Sequence, residues 1–226
     1  MIRHPAAPNI MKNKAPRQTL LLLASAALAL PGSLACAAPG ELETIQVTAT
    51  RRAESAFDVP IATGSVDRDE IRAAAPQTVM EALRGQTGAY VQQTTPGQGI
   101  VVLRGLKGSE VLHVVDGFRL NNAIFRNAPN QYVALVDSQS LERIESVRGP
   151  MSALYGSDAM GGVVQMLTWE PRFEGEVWQT RALARSMYGS ADESTMSRIE
   201  GAVGQGRLAV SGGATYQDVN ERRVVG

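Results

Sequence analysis

The sequence is short of the residue types on which most catalytic, metal and redox sites depend. Its 226 residues include one cysteine, Cys36, and two histidines. A lone cysteine excludes a disulfide scaffold and any CxxC-type site. Aromatic residues make up 5% of the chain, and the only long apolar run covers residues 20–30. A run of that length is too short to span a bilayer as a helix.

An excess of charge of either sign is lacking as well, because 22 Lys and Arg residues balance 22 Asp and Glu residues. Four basic residues and no acidic residue precede position 38, so the rest of the chain has 18 basic against 22 acidic residues, a net charge of −4. Recognition of phosphate requires a basic surface. A nucleic-acid partner is therefore excluded.

Residues 1–37 have the layout of a secretory signal peptide, which consists of a basic segment, an apolar run and a small-residue cleavage site. The sequence Ala35-Cys36-Ala37 predicts cleavage after Ala37, which would leave the exported chain without a thiol. The alternative is a lipoprotein acylated at Cys36. It requires a large apolar residue three positions earlier, where Ser33 stands.

Alternating apolar residues and capping signals predict an α+β domain after the leader. Residues 44–50 alternate as a strand that has no obvious hairpin partner, and further strands are predicted at 61–66, 90–92, 100–103, 111–115 and 163–167. Asp67 and Glu70 have N-cap and N3 spacing, and Thr78 and Glu81 form a predicted capping box, so two helices are predicted to begin there. The dipeptide Asp116-Gly117 predicts a hairpin turn.

The pattern changes after about residue 170, where segments of about ten residues alternate weakly between polar turns. Such segments are typical of outer-membrane barrel strands, although a soluble meander of strands would look the same on this stretch alone.

Catalytic motifs are almost absent. The sequence contains no GxSxG, HExxH or CxxC motif, and Gly97-Gln98-Gly99 lacks the context of a dinucleotide loop. His113 lies within an apolar strand, where a packed imidazole is expected rather than a ligand or a base. The sequence therefore predicts no catalytic residue, no metal site and no cofactor, and the protein is not expected to be an enzyme.

Four motifs occur in a fixed order along the chain: ETIQVTAT at 43–50, VLRG at 102–105, VVDGFRLN at 114–121 and IESVRGPMSALYGSDAMGGVV at 144–164. Together they resemble the plug domain of TonB-dependent outer-membrane receptors, and the first motif resembles that family's TonB box. The resemblance covers the chain to about residue 170.

The resemblance implies a fold class and a division into domains. The expected fold is an α+β plug domain, a small mixed sheet with short helices, followed by the first antiparallel strands of an incomplete transmembrane β-barrel. The expected divisions are a signal peptide at 1–37, the TonB box at 43–50, the plug at 51–170 and barrel strands at 171–226. A plugged barrel of about 22 strands needs several hundred residues, so the sequence is expected to be a fragment of a longer protein or a truncated gene product.

The resemblance also implies partners and a location. TonB, the energy-transducing protein, would pair by strand addition with Thr44, Ile45, Gln46, Val47, Thr48, Ala49 and Thr50. The protein would lie in the outer membrane of a Gram-negative type envelope, with its barrel against lipid and its plug facing the periplasm. Arg104, Arg143 and Arg148 would contact the barrel.

The expected ligand is a scarce metal chelate, such as a ferric siderophore, haem or cobalamin. Its candidate contacts lie on two loops and carry amide, aromatic or guanidinium groups: Gln92, Gln93, Arg119, Asn122, Phe125, Arg126, Asn130 and Tyr132. The alternatives are a signal-transducing receptor of the same family, a periplasmic enzyme, and a free-standing truncated plug-like binding module without transport activity.

Overall fold

A computed structural model describes residues 46–47, 54–55 and 61–219, except 96, 125–126 and 191. The predicted leader and Cys36 lie outside these residues. All described residues belong to the structural unit Thr44–Gly226.

The strands and helices follow one another along the chain in the order β1–β3, α1, α2, β4–β9, α3, β10–β13. The strands are β1 Gln46–Val47, β2 Glu54–Ser55, β3 Ala62–Asp67, β4 Ala89–Thr95, β5 Gln98–Leu103, β6 Leu106–Lys107, β7 Val111–Val115, β8 Phe118–Arg119, β9 Leu141–Arg148, β10 Gly162–Thr168, β11 Gln179–Gly189, β12 Ser194–Gln205 and β13 Leu208–Asp218. The helices are α1 Arg68–Ala74, α2 Val79–Ala82 and α3 Ser152–Tyr155.

A five-stranded mixed sheet in the order β3-β9-β10-β7-β8 organises the plug. The β7 and β10 strands are parallel, whereas β9 runs antiparallel to both of its neighbours. Successive side chains of a strand point to opposite faces, and both faces of this sheet are buried. One core packs against α1 and α2 around Ile71, Met80 and Ile144, and a second packs beneath the α3 segment around Leu112 and Met151.

Local chemistry explains where the two capped helices begin. Asp67 Oδ1 accepts the Glu70 N–H at 2.8 Å and Glu70 Oε2 accepts the Asp67 N–H at 3.0 Å, which confirms the capping box. At α2, Thr78 accepts the Glu81 N–H at 3.4 Å, but the Glu81 carboxylate accepts from the Gln77 N–H instead of from Thr78. The predicted reciprocal box at α2 is therefore only half formed.

Two positions with positive φ angles determine how neighbouring strands of the plug meet. Asp116 and Gly117 have φ angles of 46° and 88°, as the two-residue turn between β7 and β8 requires. Gly162 has a φ of 147°, and a Cβ there would lie 2.1 Å from the Val147 carbonyl oxygen. Only glycine lets β10 approach β9 this closely.

Two further three-stranded antiparallel sheets complete the architecture. One is β4-β5-β6, and the other is β11-β12-β13, whose strands are 11, 12 and 11 residues long. Mixed sheet, short helices and long antiparallel strands confirm the predicted fold class.

In the described part of the chain, no helix is both long enough and apolar enough to cross a membrane.

Candidate functional site

The segment predicted to bind TonB is described only at Gln46 and Val47. These two residues form β1 and pair antiparallel with Ser55 and Glu54 of β2. The sequence predicted no hairpin partner, so this pairing corrects that expectation: the backbone groups of β1 pair with those of β2, only a few residues further along the chain. Thr44, Ile45, Thr48, Ala49 and Thr50 lie outside the described residues.

The structure brings part of the two candidate ligand loops together. The Gly99 N–H donates to the Asn130 carbonyl at 3.0 Å, and the Asn130 N–H donates to the Gly99 carbonyl at 2.9 Å. Gly99 is paired with Gln93 on β4, so Gln92 and Gln93 lie on the strand next to the one that Asn130 joins. Asn130 is itself buried, and Tyr132 is half-buried.

Arg119 lies apart from this pair of loops. Its guanidinium donates to the Ser157 carbonyl at 2.8 Å and to Asp158 Oδ2 at 2.9 Å, so it ties the edge strand β8 to the segment after α3. Asn122 is exposed and accepts the Ile124 N–H through its own side chain at 3.1 Å. Phe125 and Arg126 lie outside the described residues.

The three arginines predicted to contact the barrel have neighbours within the plug. Arg148 donates to the carbonyls of Thr63, at 2.7 Å, and Thr87. Arg143 Nε donates to Glu145 Oε1 at 2.6 Å. Arg104 lies beside Gly149, where a Cβ would stand 3.0 Å from its Nη1 atom. Contact of these arginines with a barrel wall stays a prediction.

A buried carboxylate that the sequence analysis did not select joins the plug to the β11–β13 sheet. Glu200 of β12 has a side chain only 3% exposed. Its Oε1 atom accepts from Arg68 at 2.5 Å and from Arg72 at 3.0 Å, both on α1, and its Oε2 atom accepts from Arg198 at 2.9 Å. We call these four residues the Glu200 cluster. It is the kind of buried, fully engaged charge that is costly to disrupt.

Neighbouring polar contacts extend the junction. Arg198 Nη1 donates to Asp137 Oδ2 at 3.0 Å and to Thr215 Oγ1 at 2.8 Å. Gln77 Nε2 donates to Asp192 Oδ2 at 2.7 Å. One signal in the sequence could have indicated the junction: Arg68 and Arg72 are spaced i,i+4 and therefore share a helix face, and Arg198 and Glu200 are spaced i,i+2 on one strand face.

A cavity of about 290 Å³ lies beside the Glu200 cluster. We call it the arginine cavity, and its polar and aromatic lining is Arg68, Arg72, Arg181, Glu142, Glu200 and Trp169. The Arg68 guanidinium lies over the Trp169 ring at 4.5 Å. Burial lowers the pKa of Arg68; the charge of Glu200 opposes this shift and that of Arg72 adds to it.

The β11–β13 sheet has two different faces. The register places Leu183 opposite Glu200 and Thr215 opposite Arg198, so the inward face carries charged and polar groups towards the plug. The outward face is exposed and carries alanines and larger apolar side chains, with tyrosines near one end: Ala182, Ala184, Ile199, Val203, Leu208, Val210, Ala214, Tyr188 and Tyr216. An outward apolar band with aromatic residues at its edge is typical of strands that face lipid.

His113 is buried in the plug at 2% exposure. Its backbone N–H donates to Asn121 Oδ1 at 3.0 Å, and the Asn121 amide donates in turn to the Val111 carbonyl at 3.0 Å. Burial lowers the pKa of the imidazole to about 4. A neutral ring packed in the core agrees with the structural role expected from the sequence.

Comparison with known proteins identifies the domain. The profile of the family described as "TonB-dependent Receptor Plug Domain" matches residues 55–163. The chain is 33% identical over 153 residues to the vitamin B12 transporter BtuB of Photobacterium profundum, covering 67% of this chain and 25% of the relative. It is 29% identical over 191 residues to the iron-regulated outer membrane virulence protein of Vibrio cholerae, covering 79% and 28%.

Solved structures share the fold. A ferric enterobactin receptor mutant from Pseudomonas aeruginosa (PfeA), in complex with enterobactin, matches with a TM-score of 0.53 at 20% identity, covering 72% of this chain and 26% of that one. A structure described as the copper transporter OprC matches with a TM-score of 0.57 at 21% identity, covering 70% and 24%. The chain thus spans about a quarter of the length of the relatives that it matches.

Proposed function

This chain belongs to the family of TonB-dependent receptors, and we propose that it forms part of a receptor for the energised uptake of a scarce metal chelate across the outer membrane. The candidate chelates are a ferric siderophore, haem and cobalamin. The names of the matched relatives support uptake, since one is a vitamin B12 transporter and another an iron-regulated outer membrane protein.

The observation that carries the proposal is the junction between the plug and the β11–β13 sheet. One face of that sheet is apolar and exposed, and the opposite face holds α1 through Arg68 and Glu200. This is the arrangement expected of a plug held against the inner wall of a lipid-facing barrel. Such an exposed apolar face is not expected on a free-standing periplasmic module, because an exposed apolar patch on a soluble protein favours aggregation.

The TonB box would act through its backbone. TonB is proposed to add a strand to residues 44–50, since β1 belongs to a two-stranded sheet and the described residues place no strand on its other edge. Along the chain, force applied to this segment passes β2 and then reaches β3, which lies at the edge of the five-stranded sheet of the plug. The ligand would bind near the β4–β5 hairpin and Asn130, which the Gly99 bridge holds together.

The test is Val47→Pro in a receptor that carries this sequence. Proline removes a backbone N–H and fixes φ, so it prevents strand addition at that position. Uptake of the chelate should be lost while its equilibrium binding is unchanged. Val47→Ala, which keeps the N–H, is the matched control and should retain uptake. Equal loss of binding and uptake in the proline variant would show that residues 44–50 are structural.

A further inference from the structure

The arginine cavity lies where α1 of the plug meets β11 and β12, apart from the candidate ligand loops. Its volume of about 290 Å³ is at the lower limit for small-molecule sites, which hold about 300–1,000 Å³. It is therefore too small for a whole siderophore or corrinoid and suits a compact polar group.

The charges that line this cavity do not cancel. Three guanidinium groups, those of Arg68, Arg72 and Arg181, line it with two carboxylates. A third carboxylate, that of the exposed Asp69, contacts Arg72 from outside the lining at 4.0 Å. The Glu200 carboxylate already accepts from Arg68, Arg72 and Arg198, so its charge is fully engaged. Glu142 has a side chain 44% exposed and contacts Arg68 through a single pair of atoms.

Arg181 supplies a cation that no carboxylate neutralises. Within the described part of the chain no acidic side chain lies within ion-pair distance of it, and its guanidinium lies 5.1 Å from the centre of the Phe173 ring. Arg181 is exposed on β11, on the same inward face as Leu183, so its guanidinium can move towards a group in the cavity.

Arg68 supplies a donor without an acceptor. Its Nη atoms contact Glu142 and Glu200, but its Nε atom is buried and has no hydrogen-bond partner among the described residues. An unsatisfied buried donor of a charged group is costly, and native structures contain few of them. Because this Nε atom is itself buried, the cavity offers a bound group the Arg181 cation, which has no carboxylate partner among the described residues, and one aromatic wall, Trp169.

We propose that the arginine cavity binds a compact oxyanion, a carboxylate or phosphate group, through Arg181 and Arg72 beside the Trp169 ring. Guanidinium groups bind these anions in two-point geometry. The physiological meaning rests on the proposed uptake function: the cavity would be a second contact, apart from the candidate ligand loops, for a carboxylate or phosphate group of an anionic chelate.

The test uses Trp169 as the reporter. The chain has two tryptophans, so Trp178→Phe leaves Trp169 as the only indole. Citrate and inorganic phosphate are titrated separately into this variant of the purified chain in detergent micelles, which cover the apolar face of β11–β13, at constant ionic strength and with chloride as the reference. A saturable change in fluorescence is expected for at least one oxyanion and none for chloride. Stronger binding of citrate indicates a carboxylate-bearing chelate, and stronger binding of phosphate indicates a phosphorylated ligand.

Arg181→Gln in the same background should weaken binding on the order of tenfold or more, since a charge-assisted contact is lost. Arg181→Lys keeps the charge and should bind more tightly than the glutamine variant. Arg207→Gln is the matched control, because Arg207 is exposed in the turn between β12 and β13 and does not line the cavity.

The proposal is overturned if neither oxyanion gives a saturable change, or if Arg181→Gln and Arg207→Gln bind equally well. Circular dichroism of each variant shows that a loss of binding is not a loss of fold. The titration needs no TonB and no membrane energy, so its failure leaves the uptake proposal standing, and a failed uptake assay leaves the titration intact.

Discussion

The buried imidazole of His113 should make the stability of the plug depend on pH. Its pKa is about 4 in the folded protein, against 6.5 for an unperturbed imidazole, because burial disfavours the charged ring. Between these two values the unfolded chain binds a proton that the folded chain does not. The free energy of unfolding is therefore unaffected above pH 6.5 and falls as the pH drops through this window.

The two pKa values set the size of the effect. Because proton binding is coupled to unfolding, the free energy of unfolding should be lower than at neutral pH by about 2 kcal/mol at pH 5 and about 3 kcal/mol at pH 4. Small domains are stable by only about 5–15 kcal/mol, so this loss is a large fraction of the total.

The assay is urea unfolding at a series of pH values from 7.5 to 4.5. His113→Gln removes the titratable ring and should lose this part of the pH dependence. The wild type and the variant share every other titratable group, so the difference between their curves isolates His113. Since the only other histidine is His4, an NMR titration of the ring proton measures the folded pKa directly. A folded imidazole that titrates near 6.5, or identical slopes for wild type and His113→Gln, would refute the reasoning.

Three further outcomes are expected. Glu200→Gln should lower the free energy of unfolding by about 3–5 kcal/mol in urea melts, because it leaves three guanidinium groups without their buried carboxylate. The control is Glu142→Gln, whose side chain is 44% exposed, and it should lower the free energy of unfolding by less than about 1 kcal/mol. Gly162→Ala should lower the free energy of unfolding by more than about 4 kcal/mol, since its Cβ would overlap a carbonyl oxygen of β9. The control is Gly85→Ala, where a Cβ meets no atom within 4 Å. In thermal melts it should lower the free energy of unfolding only by the backbone strain, about 1–2 kcal/mol. Arg126→Ala should weaken chelate binding by about 1–3 kcal/mol at unchanged stability if the loop after β8, which carries Arg126, forms the ligand site, and equal affinities would place the site elsewhere.

Local interactions made much of the fold readable from the sequence alone. Asp67 caps α1 because its carboxylate and that of Glu70 lie three residues apart, within reach of each other's backbone. Asp116-Gly117 turns between β7 and β8 because both residues adopt positive φ. The alternation along residues 194–205 determines which side chains of β12 face the plug. Each of these features depends on neighbours within a few residues.

Tertiary structure alone decided which distant groups meet. Arg148 donates to the Thr63 carbonyl, 85 residues away, because β3 pairs beside β9. Glu200 lies 132 residues after Arg68, and no periodicity relates the two. Their contact arises because α1 and the inward face of β12 pack together. A buried charge must then take whatever opposite charge the packing brings within reach, since leaving it unpaired away from water costs several kcal/mol.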